Sequence, residues 1–154
     1  MTDTNTSHNC SCPCGETTFQ VNAAPKVRFF CHCSICQKLY NKAFADVTVL
    51  SWSHVQLPEQ HNIKFDKYRS FPAIDRGTCG SCDKPVMASA GSGDKRIAFI
   101  SAANYSESVI LPPAKMHIFY DRRKEAVLDD LPKHSGYLRS QFAAMRLMSK
   151  NMSA

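Results

Sequence analysis

Three cysteines fall within six residues at Cys31, Cys33 and Cys36, with His32 between the first two. An odd number of neighbouring thiols cannot pair off completely as disulfides, but a borderline metal ion accepts all three thiolates at once. Three protein ligands leave one position of a tetrahedral ion open, which is the pattern of a catalytic zinc. Zinc held by three thiolates is a poor Lewis acid, because the sulfurs already donate strongly. It is suited instead to holding a fourth, exogenous thiol as a thiolate near neutral pH. The competing arrangement closes the site with a histidine, either His32 or a distant one such as His117. Alternation along an extended chain points His32 away from its flanking cysteines, which weakens the first of these forms.

The other cysteines suggest a different job. Cys12 and Cys14 sit in Cys10-Ser-Cys12-Pro-Cys14-Gly15, and Cys79 and Cys82 in Arg76-Gly-Thr-Cys79-Gly-Ser-Cys82. In an extended segment Cys12 and Cys14 would face one side, and a Cys-X-X-Cys knuckle with glycines can curl both sulfurs toward one ion. Together the four make a closed tetrahedral site with no room for a substrate, which serves folding. Cys10 is then spare, with replacement of Cys12 or Cys14 by Cys10 as the alternative.

The whole composition bounds these readings. The 154 residues suffice for one domain with a core, and 44% apolar and 21% charged residues is an ordinary globular composition. No apolar run approaches the roughly 18 residues needed to cross a bilayer, so no membrane partner is expected. Met1 to Asn9 is polar, lacks the layout of a signal peptide and reads as a flexible tail, so a cytoplasmic location is expected. In that compartment eight cysteines stay reduced and favour metal over a disulfide framework. The formal charge of +6 would fall to about +3 if seven thiolates held two zinc ions, and there is no Lys/Arg-rich block. Nucleic acid is therefore not the expected partner.

The chain that positions these residues reads as mainly β. Strands are expected over 17–21, 27–30, 45–50, 55–57, 63–68, 85–90, 96–102 and 115–120, with turns at Pro25, Gly91-Ser-Gly93 and 129–132. One or two helical turns are expected over 37–44, and a helix N-terminus beside Cys33 and Cys36 would favour thiolates. From Ser135 onward, Leu138, Phe142, Met145 and Met148 are spaced as one face of an amphipathic helix docking on the domain.

Taken together, Cys12-Pro-Cys14-Gly15, Cys31-His-Cys33-Ser-Ile-Cys36 and Arg76-Gly-Thr-Cys79-Gly-Ser-Cys82 resemble the glutathione-dependent formaldehyde-activating enzyme family, which also includes centromere protein V. Residues 112–132, with a His-Ile-Phe core at 117–119, resemble the family's closing segment. The resemblance spans residues 10–133, leaving 1–9 as a tail and 134–154 as a helical tail. It implies an Mss4-like fold, mostly antiparallel β, around two zinc ions. Structural zinc would lie on Cys12, Cys14, Cys79 and Cys82, and catalytic zinc on Cys31, Cys33 and Cys36. The implied activity is a carbon–sulfur lyase on S-hydroxymethylglutathione, with glutathione as co-substrate and formaldehyde as the small aldehyde. Departures from the family pattern are Asp83 and Asn41, where glycine is frequent, and Asn tolerates a left-handed backbone. No motif identifies what binds the thiol's carboxylates. Arg28, Lys38 and Arg76 lie beside the cysteine motifs, though each also reads as a solvated surface charge.

Two other readings follow from the same residues. A non-enzymatic zinc module for nucleic acid or protein would show salt-dependent binding. A redox switch would release zinc on oxidation of Cys31, Cys33 and Cys36.

Overall fold

A computed structural model describes residues 7–67 and 74–152. In chain order the elements are β1 (His8–Ser11), β2 (Thr18–Val21), β3 (Val27–Cys31), α1 (Ser34–Tyr40), β4 (Ala45–Ser51), β5 (Val55–Gln56), β6 (Ile63–Lys67), β7 (Ile74–Cys79), β8 (Pro85–Ala90), β9 (Ile97–Ser101), β10 (His117–Ile118) and α2 (Tyr137–Met152). The fold is mostly β, as expected, but its strands form two sheets, one of them large, rather than several small ones, and it carries two helices. β1, β2 and β5 form a three-stranded sheet, and the other strands form a seven-stranded one in the order β10-β3-β4-β9-β8-β7-β6. All pairings are antiparallel except β10 with β3. Of the expected tail, residues 1–6 lie outside the described residues, whereas His8 and Asn9 open β1. Tyr68, expected to end a strand, also lies outside them.

The central strand β4 explains why there are two cores. Its residues are buried on both faces, so alternation sends Leu50 to one side of the large sheet and Val47 and Val49 to the other. The first core holds Phe19 and Val21 of β2, together with Cys10, Cys12, Cys79, Val86, Ile100 and Tyr105. The second holds Cys31, Cys33 and Cys36 with Phe29, Val49, Met116, Ile118 and Ala144. Each core therefore carries one of the two cysteine groups.

Several boundaries depart from expectation for local reasons. α1 starts at Ser34 rather than near residue 37, because Cys33 serves as its N-cap, its Sγ accepting from the Cys36 N–H at 3.4 Å. It ends at Asn41, which takes the left-handed conformation (φ 51°) that ends helices. The strand expected over 115–120 shrinks to two residues because Phe119 also turns left-handed (φ 54°) and starts a 3₁₀ turn over Tyr120–Arg122.

The C-terminal helix forms and docks, but through a different face from the expected one. Leu138, Phe142 and Met145 are exposed, while Ser140 and Ala144 are buried and Ala143, Leu147, Met148 and Met152 pack against the second core. Of the four residues expected on the docking face, only Met148 packs there. Small side chains at 140, 143 and 144 let the helix backbone come close to the sheet, a preference that counting large apolar residues inverts. The helix is pinned at its start: Ser140 Oγ accepts from the Phe119 N–H at 2.7 Å, and the Gly136 N–H donates to Asp121 Oδ1 at 2.7 Å.

Candidate metal centres

The four-sulfur group is assembled from two turns rather than from extended chain. β1 stops at Ser11, and Cys12 to Gly15 close a turn in which the Gly15 N–H donates to the Cys12 carbonyl at 3.0 Å. Gly15 adopts φ 81°, as a tight reversal requires. The second turn follows β7, with the Asp83 N–H donating to the Cys79 carbonyl at 2.8 Å and Asp83 left-handed at φ 60°. That conformation explains why glycine suits this position. Gly77 and Gly80 serve closeness rather than curl. A Cβ on Gly77 would lie 2.7 Å from Ile63 Cγ2, and one on Gly80 would collide with Asn62 Oδ1.

The sulfurs of Cys12, Cys14, Cys79 and Cys82 all lie within 4.8 Å of one another. Cys12 and Cys14 are 3.3 Å apart, and Cys14 and Cys79 3.8 Å. A tetrahedral zinc with Zn–S near 2.3 Å separates its sulfurs by about 3.8 Å, so the donor set fits that ion. Hydrogen bonds to the sulfurs favour thiolates: the Thr17 N–H donates to Cys12 Sγ at 3.4 Å, and Thr17 Oγ1 and the Ser81 N–H donate to Cys79 Sγ at 3.2 and 3.3 Å. Burial pushes the Cys79 thiol up, but these donors outweigh it and bring it down to about 6. Cys10 is not part of the group. It pairs with Phe19 across β1–β2, bridges to Tyr105 and is pushed up to about 12 by burial, the behaviour of an inert core thiol.

The three-sulfur group lies where β3 runs into α1. Cys31 ends β3, Cys33 caps α1 and Cys36 lies in its first turn, so all three sulfurs converge within 4.8 Å. All three side chains are buried. The neighbouring Cys31 and Cys36 sulfurs and the Cys36 N–H lower the Cys33 thiol, while the shared charge and burial push Cys31 and Cys36 up. Three buried sulfurs converging this closely are a donor set that a divalent cation can take up in exchange for their protons. None of the eight cysteines forms a disulfide.

Neither histidine closes this group. His32 Nε2 lies 2.8 Å from His117 Nδ1, and His117 Nε2 lies 2.8 Å from Asp129 Oδ2. A carboxylate only accepts, so His117 carries its proton on Nε2, and His32 donates from Nε2 to His117 Nδ1. Both rings are buried, and His32 also packs on Phe44 and Tyr120. Among the described residues no histidine or carboxylate joins Cys31, Cys33 and Cys36. The Asp129–His117–His32 chain has no short-range sequence signal, since 85 residues separate the two histidines.

The sulfurs line a cavity on the inner face of the large sheet. Phe99 on β9, Ala88 on β8 and Arg76 on β7 lie directly opposite one another on adjacent strands and face it. Arg76 Nη1 reaches to 4.0 Å from Cys36 Sγ. β7 is four places from β3 in the sheet, about 19 Å if the sheet were flat, so the sheet curls around this space. Of the three basic residues beside the cysteine motifs only Arg76 meets the cavity. Arg28 is paired with Asp46 at 2.8 and 2.7 Å, and Lys38 is exposed. Residues 141, 144 and 148 of α2 form the far wall, a contribution that the sequence reading missed.

A family model described as glutathione-dependent formaldehyde-activating enzyme matches residues 7–122. No curated protein matches the chain.

Proposed function

The chain belongs to the glutathione-dependent formaldehyde-activating enzyme family, and from that premise we propose that it is a zinc-dependent carbon–sulfur lyase acting on a thiol adduct of formaldehyde or a similar small electrophile. The family points to an enzyme acting on glutathione and formaldehyde. In this reading Cys12, Cys14, Cys79 and Cys82 hold a structural zinc, and Cys31, Cys33 and Cys36 hold a catalytic one. The observation that carries it is the commitment of His32 and His117 to each other, which leaves three sulfurs with no fourth protein ligand beside them among the described residues.

Zinc, when bound there, supplies the charge that keeps a fourth sulfur deprotonated near neutral pH. Cys31, Cys33 and Cys36 would hold it, and the Arg76 guanidinium, 4.0 Å from Cys36 Sγ, would offset part of the negative charge that a fourth thiolate adds. The apolar walls thin the water around the reacting sulfur, which strengthens that attraction. The substrate's sulfur lone pair attacks the aldehyde carbon, a C–S bond forms, and the C=O π pair moves to oxygen. That oxygen takes the proton the thiol gave up. Nothing is oxidised or reduced, and the reverse step cleaves the C–S bond. The reading places the protein in a reducing compartment such as the cytoplasm. Among the described residues no helix is long and apolar enough to cross a membrane.

The test is exchange spectroscopy on carbon-13 formaldehyde with a panel of thiols, glutathione and 2-mercaptoethanol included. Zinc-loaded wild type should speed adduct formation and breakdown with at least one thiol, and Cys33→Ser should not. No acceleration with any thiol would refute the lyase.

A further inference from the structure

The part of the chain beyond the matched residues bears on what the site admits. α2 begins at Tyr137, past the end of the family match at residue 122, and it lies across the cavity. The cavity measures about 110 Å³, part of which an ion would fill. An apolar cavity of about 150 Å³ holds a benzene, and sites for larger organic ligands run from roughly 300 Å³ upward. Its walls include Phe29, Val47, Phe99 and Ile118, and among the described residues Arg76 is its only cationic or anionic side chain apart from the cysteines. Glutathione brings two carboxylates and an ammonium, and among the described residues those walls offer one cation, with no anion for the ammonium and no second cation for the other carboxylate. Burying an unpaired charge against apolar walls is strongly unfavourable.

The cover is built into the fold. Ala144 is buried against the sheet, Met148 packs on the second core, and Ser140 ties the helix to Phe119 through a 2.7 Å hydrogen bond. We propose that α2 makes this centre selective for a compact, apolar thiol of about two to four carbons, and for its adduct with a small aldehyde, over a peptide-sized thiol such as glutathione. Met148 and Ala144 set the size limit, and Gln141 forms part of the same wall. The inference rests on the thiol-binding reading of the three-sulfur site.

The experiment uses the full chain loaded with cobalt(II) in place of zinc, whose visible absorption changes when a fourth thiolate joins; the four-sulfur site gives a constant background. 2-Mercaptoethanol, 1-propanethiol and glutathione are titrated in turn. The two small thiols should change the spectrum at concentrations at least about tenfold below glutathione. Met148→Ala should bring the glutathione response at least about tenfold closer to theirs, and Gln141→Ala should act in the same direction if Met148→Ala does not fold, as judged by circular dichroism. Ala144→Met, which fills the cavity, should weaken the small thiols. Glutathione responding at the same concentrations as the small thiols would overturn the size limit while leaving the thiol site intact. So would a folded Met148→Ala with an unchanged preference. If no thiol changed the spectrum, the thiol site itself, and with it this inference, would be refuted.

Discussion

His32 and His117 spend their facing nitrogens on each other, 2.8 Å apart and out of contact with water. His32 and His117 are the histidines expected to compete for a fourth position on Cys31, Cys33 and Cys36, and the geometry of the pair removes both from that role. Replacing His117 with alanine should leave the zinc content of the protein unchanged while stripping His32 of its partner. A buried polar group left unsatisfied costs about 1–3 kcal/mol, so the urea midpoint should fall. Loss of one zinc ion with the fold intact would mean that His117 is a ligand.

Asp129 fixes the far end of that chain. The Lys133 ammonium at 2.6 Å and the His117 N–H at 2.8 Å hold its carboxyl well below the usual carboxylate range. Because the folded value lies below the unfolded one of about 3.9, ionised Asp129 stabilises the fold above about pH 4, and that contribution is lost as the pH falls further. Asp129→Asn should therefore be less stable than wild type near neutrality, and the gap should start to narrow below about pH 4 and go on narrowing as the pH falls further. Urea titrations across the range check this; a gap independent of pH would contradict it.

Cys10 and Cys79 are both buried in the same core, but only Cys79 belongs to the four-sulfur group. Cys79→Ser should lose that ion and most of the fold, because structural zinc contributes several kcal/mol or more to folding. Cys10→Ala should keep both ions and lose about 1–2 kcal/mol for the vacated volume. Elemental analysis alongside thermal melts separates the two outcomes, and zinc loss from Cys10→Ala would make it a ligand.

Gly77 lies between two strands, and a Cβ there would sit 2.7 Å from Ile63 Cγ2, 2.9 Å from Phe65 Cε1 and 3.1 Å from the Met87 carbonyl. Gly77→Ala should lower stability by about 1–3 kcal/mol through overpacking, measured by denaturant unfolding. A neutral effect would show that β6 moves away freely.

Most of the strands, the two cysteine groups and the family were legible because each depends on local pattern, whereas β1 and β7 were not expected as strands. Phe19 and Val21 alternate inward as a strand should, and the turns at Gly15 and Asn41 follow from left-handed backbone. What the sequence hid depends on distant pairing. Nothing near His32 announces His117 or Asp129, and nothing near Arg76 says that the sheet curls to bring it to Cys36. The helix face was misassigned because Leu138, Phe142 and Met145 outweigh Ser140 and Ala144 in apolar bulk, whereas the contact is made by small residues. Phe142→Gln should accordingly leave stability within about 0.5 kcal/mol of wild type, as a surface change does.

The account stands on two metal centres of different kinds, and zinc stoichiometry tests that most directly. Wild type should carry about two zinc ions per chain and Cys33→Ser about one, with its circular dichroism retained and the remaining ion unmoved by added thiols. Equal zinc in both proteins, or loss of both ions together with the fold in Cys33→Ser, would contradict an open thiol-handling centre beside a closed structural one.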